Sequence, residues 1–349
     1  MNFSVADSGC RTRLHSLTHP SAVLDLHFSP CAPDVFAVAS SSGNVSLFEL
    51  QGTPSYALEH LHTYQNFPLS TLVLSLAWHP SDPDLIGVSL STGAIALLKF
   101  SHDRSTLTSI REDINPHDGL EAWSLAFTQS HHPERGDVAQ SIYSGGDDSR
   151  LRCTVFPSLA ELSFRDFAKQ PPGGFVGMTG HNAGVTAILP LPFHTDAGQD
   201  ILLTGSYDDR VRVYAVRDHR PEHSDTPKVL AELRIGGGVW RLKFLQDYSH
   251  SSQNCRLESP AGGDPVRTFR VLASCMHAGA RVLQVAGRKD GDWTIKELAA
   301  FKQHASMNYA SDVQPAPLEA AARGNDREAL CVSTSFYDKL ICIWRFKCN

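Results

Sequence analysis

At 349 residues, 42% hydrophobic and 19% charged, the chain has an ordinary globular composition with ample apolar material for a large core. A net charge of −6 and the lack of any Lys/Arg cluster argue against direct contact with nucleic acid, whose binders carry a basic stripe. The start, MNFSVADSGCRTRLHSL, has no signal-peptide pattern, no apolar run approaches the ~20 residues that cross a bilayer, and the eight cysteines form no CxxC pair. These features predict a cytoplasmic, monomeric protein with reduced thiols and no membrane contact.

Short strands follow one another along the whole chain. The first group is AVLDLHFSP (22–30), AVASSSGNVSLFEL (37–50) and an outer strand in ALEHLHTYQ. The second is LVLSLAWHP (72–80) with GVSLSTGAIALLKF (87–100), and the third is EAWSLAFTQ (121–129) with SIYSGGDDSRLRCTVF. The fourth, from Gly180 to Asp218, is the clearest: Gly-His, an alternating strand, Thr204-Gly205-Ser206, a turn at Tyr207-Asp208-Asp209, and a strand through Tyr214. Asp208 precedes Tyr214 by the spacing that recurs from Asp338 to Trp344 and from Asp148 to Thr154. GVWRLKFLQ (238–246) and VLASCMHAGARVLQV (271–285) form the fifth group, and YASDVQP (309–315) with VSTSFYDKLICIWRF the sixth; KVLAELRIG and TIKELAAFK read as further outer strands.

Period-2 alternation at this spacing predicts an all-β fold, a WD40-type β-propeller forming one domain over 1–349, with six repeats and a seventh left open. The last repeat lacks a fourth strand, which Arg13–Thr18 is predicted to supply, removing a sheet edge. Stretches 157–179, 247–266 and 316–328, rich in Pro, Gly, Ser and charge, are predicted surface insertions.

In such a propeller the lead-in to each first strand and the turn between strands two and three share a face. The lead-ins carry His117–Trp123, Gly180-His181, Gly236–Arg241 and His304–Tyr309; the turns carry Gly145–Asp148, Ser206–Asp208, Cys275–Gly279 and Phe336–Asp338. All are expected around one mouth of a central channel, where a ligand is held.

His181 and Asp208 read as a structural pair that satisfies buried polar groups, and Asp148 and Asp338 read likewise. Gly236-Gly237-Gly238 is either a permissive turn or, with Arg241, a set of donors for a developing oxyanion. Trp123, Trp240, Tyr207, Tyr309 and Tyr337 are singly ordinary packing; as a set they make a cage for a quaternary ammonium, each face worth ~0.5–2 kcal/mol, with Glu121 as counter-charge. His277 and His304 are core histidines or general bases. A metal on His277, His304 and Asp312 lacks HxH or HExxH spacing, so no metal or cofactor is expected. The sequence has neither a G-x-S-x-G elbow nor a Gly-rich βαβ nucleotide site.

Taken together, HDGLEAW, SIYSGGDD, GHNAGV, LLTGSYDD, GGGVWRLKF, LASCMHAG, HASMNYASD and STSFYDKLICIW closely resemble the diphthine methylesterase family, also called diphthine methyltransferase. These are the WD-repeat proteins of diphthamide synthesis. The likeness covers roughly 115–345, and the first two repeats match only generically. It implies hydrolysis of the methyl ester of methylated diphthine on translation elongation factor 2, releasing methanol. Thr154 and Tyr214 stand where the family usually keeps a tryptophan, and Val313 where an aromatic is commoner, which concerns packing more than chemistry. On this reading water attacks directly, His304 or His277 is the base, and Gly237, Gly238 and Arg241 hold the oxyanion; a Cys275 nucleophile is the second choice. The alternative is a non-catalytic adaptor in a cytosolic complex, since propellers serve often as scaffolds.

Overall fold

A strand buried on both faces reads as a near-continuous apolar run, whereas a strand with one wet face alternates. The second strands of the first two repeats are of the first kind: VFAVAS at Val35–Ser40 and LIGVSL at Leu85–Leu90 are buried at every position. The outer strand Ala57–Gln65 is largely exposed. Such strands bury both faces only by stacking sheet against sheet, and the computed structural model shows that stacking. It describes residues 14–52, 56–131, 138–156, 176–178, 180–195, 198–216, 228–245, 256–258, 266–288, 291–314 and 327–348.

Two compact units divide the chain. The described residues of Arg11–Val185 hold three antiparallel sheets. The first is β1 (Val23–Phe28), β2 (Val35–Ser40), β3 (Asn44–Gln51) and β4 (Ala57–Gln65), paired in chain order. The second is β5 (Val73–Trp78), β6 (Leu85–Leu90), β7 (Ile95–Phe100) and β8 (Leu107–Ile114), and the third β9 (Ala122–His131), β10 (Val138–Gly146), β11 (Leu151–Phe156) and β12 (Val176–Met178). Val35, Ala37 and Leu47 of the first sheet share a core with Leu76, Val88 and Leu98 of the second. Leu85 and Leu97 then pack on Leu125 and Ile142 of the third. Buried Asp25 adds a polar tie between the first two sheets, accepting from Ser75 Oγ at 2.7 Å and the Leu76 N–H at 3.1 Å.

The other unit comprises Thr186–Arg217 and Pro227–Asn349. Its strands are β13 (Val185–His194), whose first residue belongs to the preceding unit, β14 (Asp200–Ser206), β15 (Arg210–Val216) and β16 (Lys228–Arg234). A five-stranded sheet follows, of β17 (Arg241–Phe244), β18 (Arg256–Glu258), β19 (Val266–Ser274), β20 (Ala280–Gly287) and β21 (Trp293–Phe301), with β18 added beside β17 on β19. The last sheet is β22 (Asn308–Val313), β23 (Arg327–Ser335) and β24 (Ile341–Cys348). Leu203, Val211 and Val213 pack on Phe269, Val271 and Leu283, and Leu272 and Val282 on Cys331 and Trp344. Fully burying a side chain such as Phe269 contributes roughly 1.5–3 kcal/mol.

The described residues thus contain no helix and six sheets, an all-β WD-type propeller fold with the six repeats expected. Two expectations change. Leu14–Thr18 form no strand, and His15 Nδ1 accepts the Leu58 N–H at 3.1 Å on β4 of the first sheet. Arg13 itself is outside the described residues. The segments predicted as insertion loops also contain strands: β12 falls within 157–179 and β18 within 247–266. Their brevity, three residues each, left no readable alternation. The rest of 157–179 and 247–265, and all of 316–326, lie outside the described residues.

Candidate active site

A polar network ties the sheets of each unit at the lead-ins. In the third sheet His117, fully buried, joins Asp148 through Nδ1 at 2.9 Å and Ser144 Oγ through Nε2 at 3.0 Å. Arg152 closes the network on Asp148 at 3.2 Å. Burial alone raises the Asp148 pKa, but the His117 contact outweighs it and holds the carboxyl below its ordinary value. In the fourth repeat Arg212 meets Asp208 at 2.7 Å, with both side chains buried. Tyr214 fills the aromatic position completely buried, its phenol pushed up to about 12 by desolvation.

In the last sheet His304 Nε2 pairs with buried Ser333 Oγ at 2.8 Å, and Trp344 Nε1 donates to the same oxygen at 3.1 Å. Phe301 meets the His304 ring edge-on at 5.7 Å, and Cys342 Sγ lies 3.9 Å from its Nδ1. Both nitrogens thus face groups of the sheet itself. Desolvation lowers the pKa of this imidazole, against a smaller upward pull from the Asp338 carboxylate. Asp338, expected to bind a histidine, turns to the lead-in instead, accepting the Ala305 N–H at 3.0 Å and Ser306 Oγ at 2.9 Å.

The glycine loop is pinned at both ends. Ile235 N–H donates to Asp209 O at 2.8 Å, Val239 N–H to Ser206 O at 2.9 Å and Trp240 N–H to Ser274 O at 2.8 Å. Between them, the N–H groups of Gly236, Gly237 and Gly238 have no acceptor among the described residues, although Gly237 and Gly238 are buried. Backbone donors that the protein itself does not pair are available to an incoming oxygen. Gly236 sits at φ +88°, a left-handed conformation that disfavours a side chain. Gly237 is packed so tightly that a Cβ there would lie 2.5 Å from Cys275 O.

That contact brings the Cys275–Gly279 turn onto the loop. Ala278 N–H donates to Cys275 O at 2.8 Å and Gly279 N–H to Met276 O at 3.1 Å, with Met276 at φ +43°. Met276 and Asn308 exchange two backbone hydrogen bonds of 3.0 Å, and the buried Asn308 side chain donates to Ala310 O and Thr334 O. At the tip His277 is exposed, with no hydrogen-bond partner among the described residues. Cys275 beside it is completely buried and its thiol is pushed up to about 12 by desolvation, the opposite of nucleophile activation.

The aromatic residues of this unit form a continuous row. Ring centroids are separated by 5.7 Å from Tyr207 to Trp240, 5.1 Å to Tyr309, 6.0 Å to Phe336 and 5.2 Å to Tyr337. The first contact is tilted and the other three are edge-to-face. Neighbouring rings contact one another directly, so a cation would meet the faces turned away from the row. Arg241 already lies over Trp240, its Cζ 5.5 Å from the ring centroid.

Sequence reasoning named Tyr207, Trp240, Tyr309 and Tyr337 but passed over Phe336, which links Tyr309 to Tyr337; it stood within the same SFYD motif. Asn308, whose only sequence signal was its place in HASMNYASD, was also missed. Asp312 forms a half-exposed ion pair with Lys243 at 2.6 Å. Glu121 and Trp123 belong to the other unit, where Trp123 Nε1 donates to Asp147 at 3.1 Å and the Glu121 carbonyl accepts the Asp147 N–H. No group of three or more His, Cys, Asp or Glu among the described residues is arranged to hold a metal.

Residues 175–215 match the WD domain, G-beta repeat family. A protein of Schizosaccharomyces pombe named diphthine methyltransferase is 28% identical over 327 residues, 93% of this chain and 79% of that protein. The human protein of that name is 29% identical over 194 residues, 55% of this chain but only 32% of its own length. That of Saccharomyces cerevisiae is 28% identical over 239 residues, 66% of this chain and 50% of its own. By these likenesses the chain is similar, over most of its length, to WD-repeat proteins named diphthine methyltransferase.

Proposed function

We propose that the chain is a carboxylic ester hydrolase of diphthamide biosynthesis in the cytoplasm, with translation elongation factor 2 bearing methylated diphthine as its protein substrate. The observation that carries the reaction is the pair of buried, acceptor-free N–H groups at Gly237 and Gly238, packed against the turn that presents exposed His277. Unpaired backbone donors stabilise an oxygen that gains charge in the transition state, and a solvent-facing imidazole is within reach of water as a general base. His277 takes a proton from water as its oxygen bonds the ester carbon. The carbonyl oxygen becomes the oxyanion held by the two glycines. Collapse breaks the bond to methoxide, which takes the proton from His277 and leaves as methanol; the carboxylic acid that remains loses its proton to solvent and becomes the carboxylate.

This arrangement favours His277 over His304, whose ring serves the Ser333–Trp344 network, and over buried Cys275. It needs no cofactor. The outward faces of Trp240 and Tyr309 suit a trimethylammonium group. Purified chain incubated with methylated elongation factor is expected to remove one methyl and release methanol. Stable binding with no change in the factor's mass refutes the hydrolase in favour of an adaptor.

A further inference from the structure

Resting on that reading, we propose that the exposed ledge of Phe336, Tyr337, Leu340 and Ile341, with Lys339, is where the protein substrate docks. Phe336 is 66% exposed, Tyr337 69% and Ile341 68%, within six consecutive residues. Scattered apolar residues on a surface are ordinary, but a contiguous group marks an interaction site. These are not the loose side chains of a slack turn. Phe336 N–H donates to Met307 O at 3.1 Å, Tyr337 N–H to Ser306 Oγ at 3.0 Å, and the Asp338 carboxylate gathers Ala305, Ser306 and Ser335. The fold therefore fixes aromatic rings that it does not bury. Such preorganised anchors lose little entropy on binding.

Two observations identify the occupant. Tyr309 lines the groove of about 290 Å³ beside the ledge, and its ring also touches Trp240 at 5.1 Å. A polypeptide lying in the groove thus runs along the aromatic row toward the glycine loop. Lys339 is the one charged residue lining the groove among those described. The segment that fits is an apolar stretch with a neighbouring carboxylate, belonging to the protein that carries the ester.

The full-length chain is titrated with methylated elongation factor, and its Kd compared with those of Ile341→Ser and Lys339→Glu. Both substitutions are exposed, so thermal unfolding should stay at the wild-type temperature. Each is expected to weaken binding about tenfold or more, as loss of an anchor does, and the effect of Lys339→Glu should shrink at high salt. Kd values within about twofold of wild type for both variants overturn the proposal, as does a wild-type chain that does not bind the factor. A wild-type dimer that Ile341→Ser dissolves overturns it too, by assigning the ledge to a second copy. Wild-type chain that binds the factor without releasing methanol refutes the hydrolase alone, and the variant Kd values still judge the ledge.

Discussion

Two histidines offer the sharpest test, because the structure assigns them opposite roles. His304→Ala deletes a hydrogen bond to buried Ser333 and an edge-on contact with Phe301. The first is worth roughly 0.5–1.5 kcal/mol net and the second about 0.5–1.5 kcal/mol. Ser333 Oγ keeps the bond donated by Trp344, so its oxygen remains partnered. A destabilisation of about 1–3 kcal/mol is expected, read by urea unfolding. His277→Ala removes an exposed ring with no hydrogen-bond partner among the described residues, and its cost should stay within about 0.5 kcal/mol. Its methanol release should nevertheless fall by about 10²–10⁴, the usual contribution of a general base. Folded His304→Ala should retain most of its turnover. The reverse pattern, in which His304→Ala stays stable but inactive while His277→Ala turns over normally, refutes this assignment.

Three further outcomes follow from the same geometry. Because burial lowers the folded pKa of His304, its neutral form contributes stability present above the unfolded value of about 6.5 and lost as pH falls through the folded one; unfolding midpoints should decline over that acid window, less so in His304→Ala. Cys275→Ala should keep turnover within about twofold across neutral pH, since a thiol with a pKa of about 12 supplies almost no thiolate there; a loss of several orders of magnitude would restore the cysteine as nucleophile. Gly237→Ala places a methyl 2.5 Å from Cys275 O and 2.7 Å from Ala278 Cβ, so overpacking of about 1–3 kcal/mol and displacement of the His277 turn should lower both Tm and turnover.

Repeat spacing announced the architecture because each blade is a local object: alternation, a polar turn and a second apolar run lie within a few dozen residues of chain. Strand starts near 22, 72, 121, 184, 238 and 309 fell within three residues of β1, β5, β9, β13, β17 and β22 for that reason. The GGGVWR and CMHAG segments also stood out by composition alone, and packing set one against the other. Their roles were not legible. Nothing local in KQHASMNY distinguishes a histidine spent on Ser333 from one left to solvent, since Ser333 arrives from β23. The same holds for the aromatic residues, whose types suggested a cage and whose spacing made a closed row. Periodicity is a property of neighbours in sequence, and it determined the strands, their order and the buried faces. Hydrogen-bond partnership, thiol burial and ring-to-ring distance depend on residues dozens of positions away, and only the packed sheets decided them.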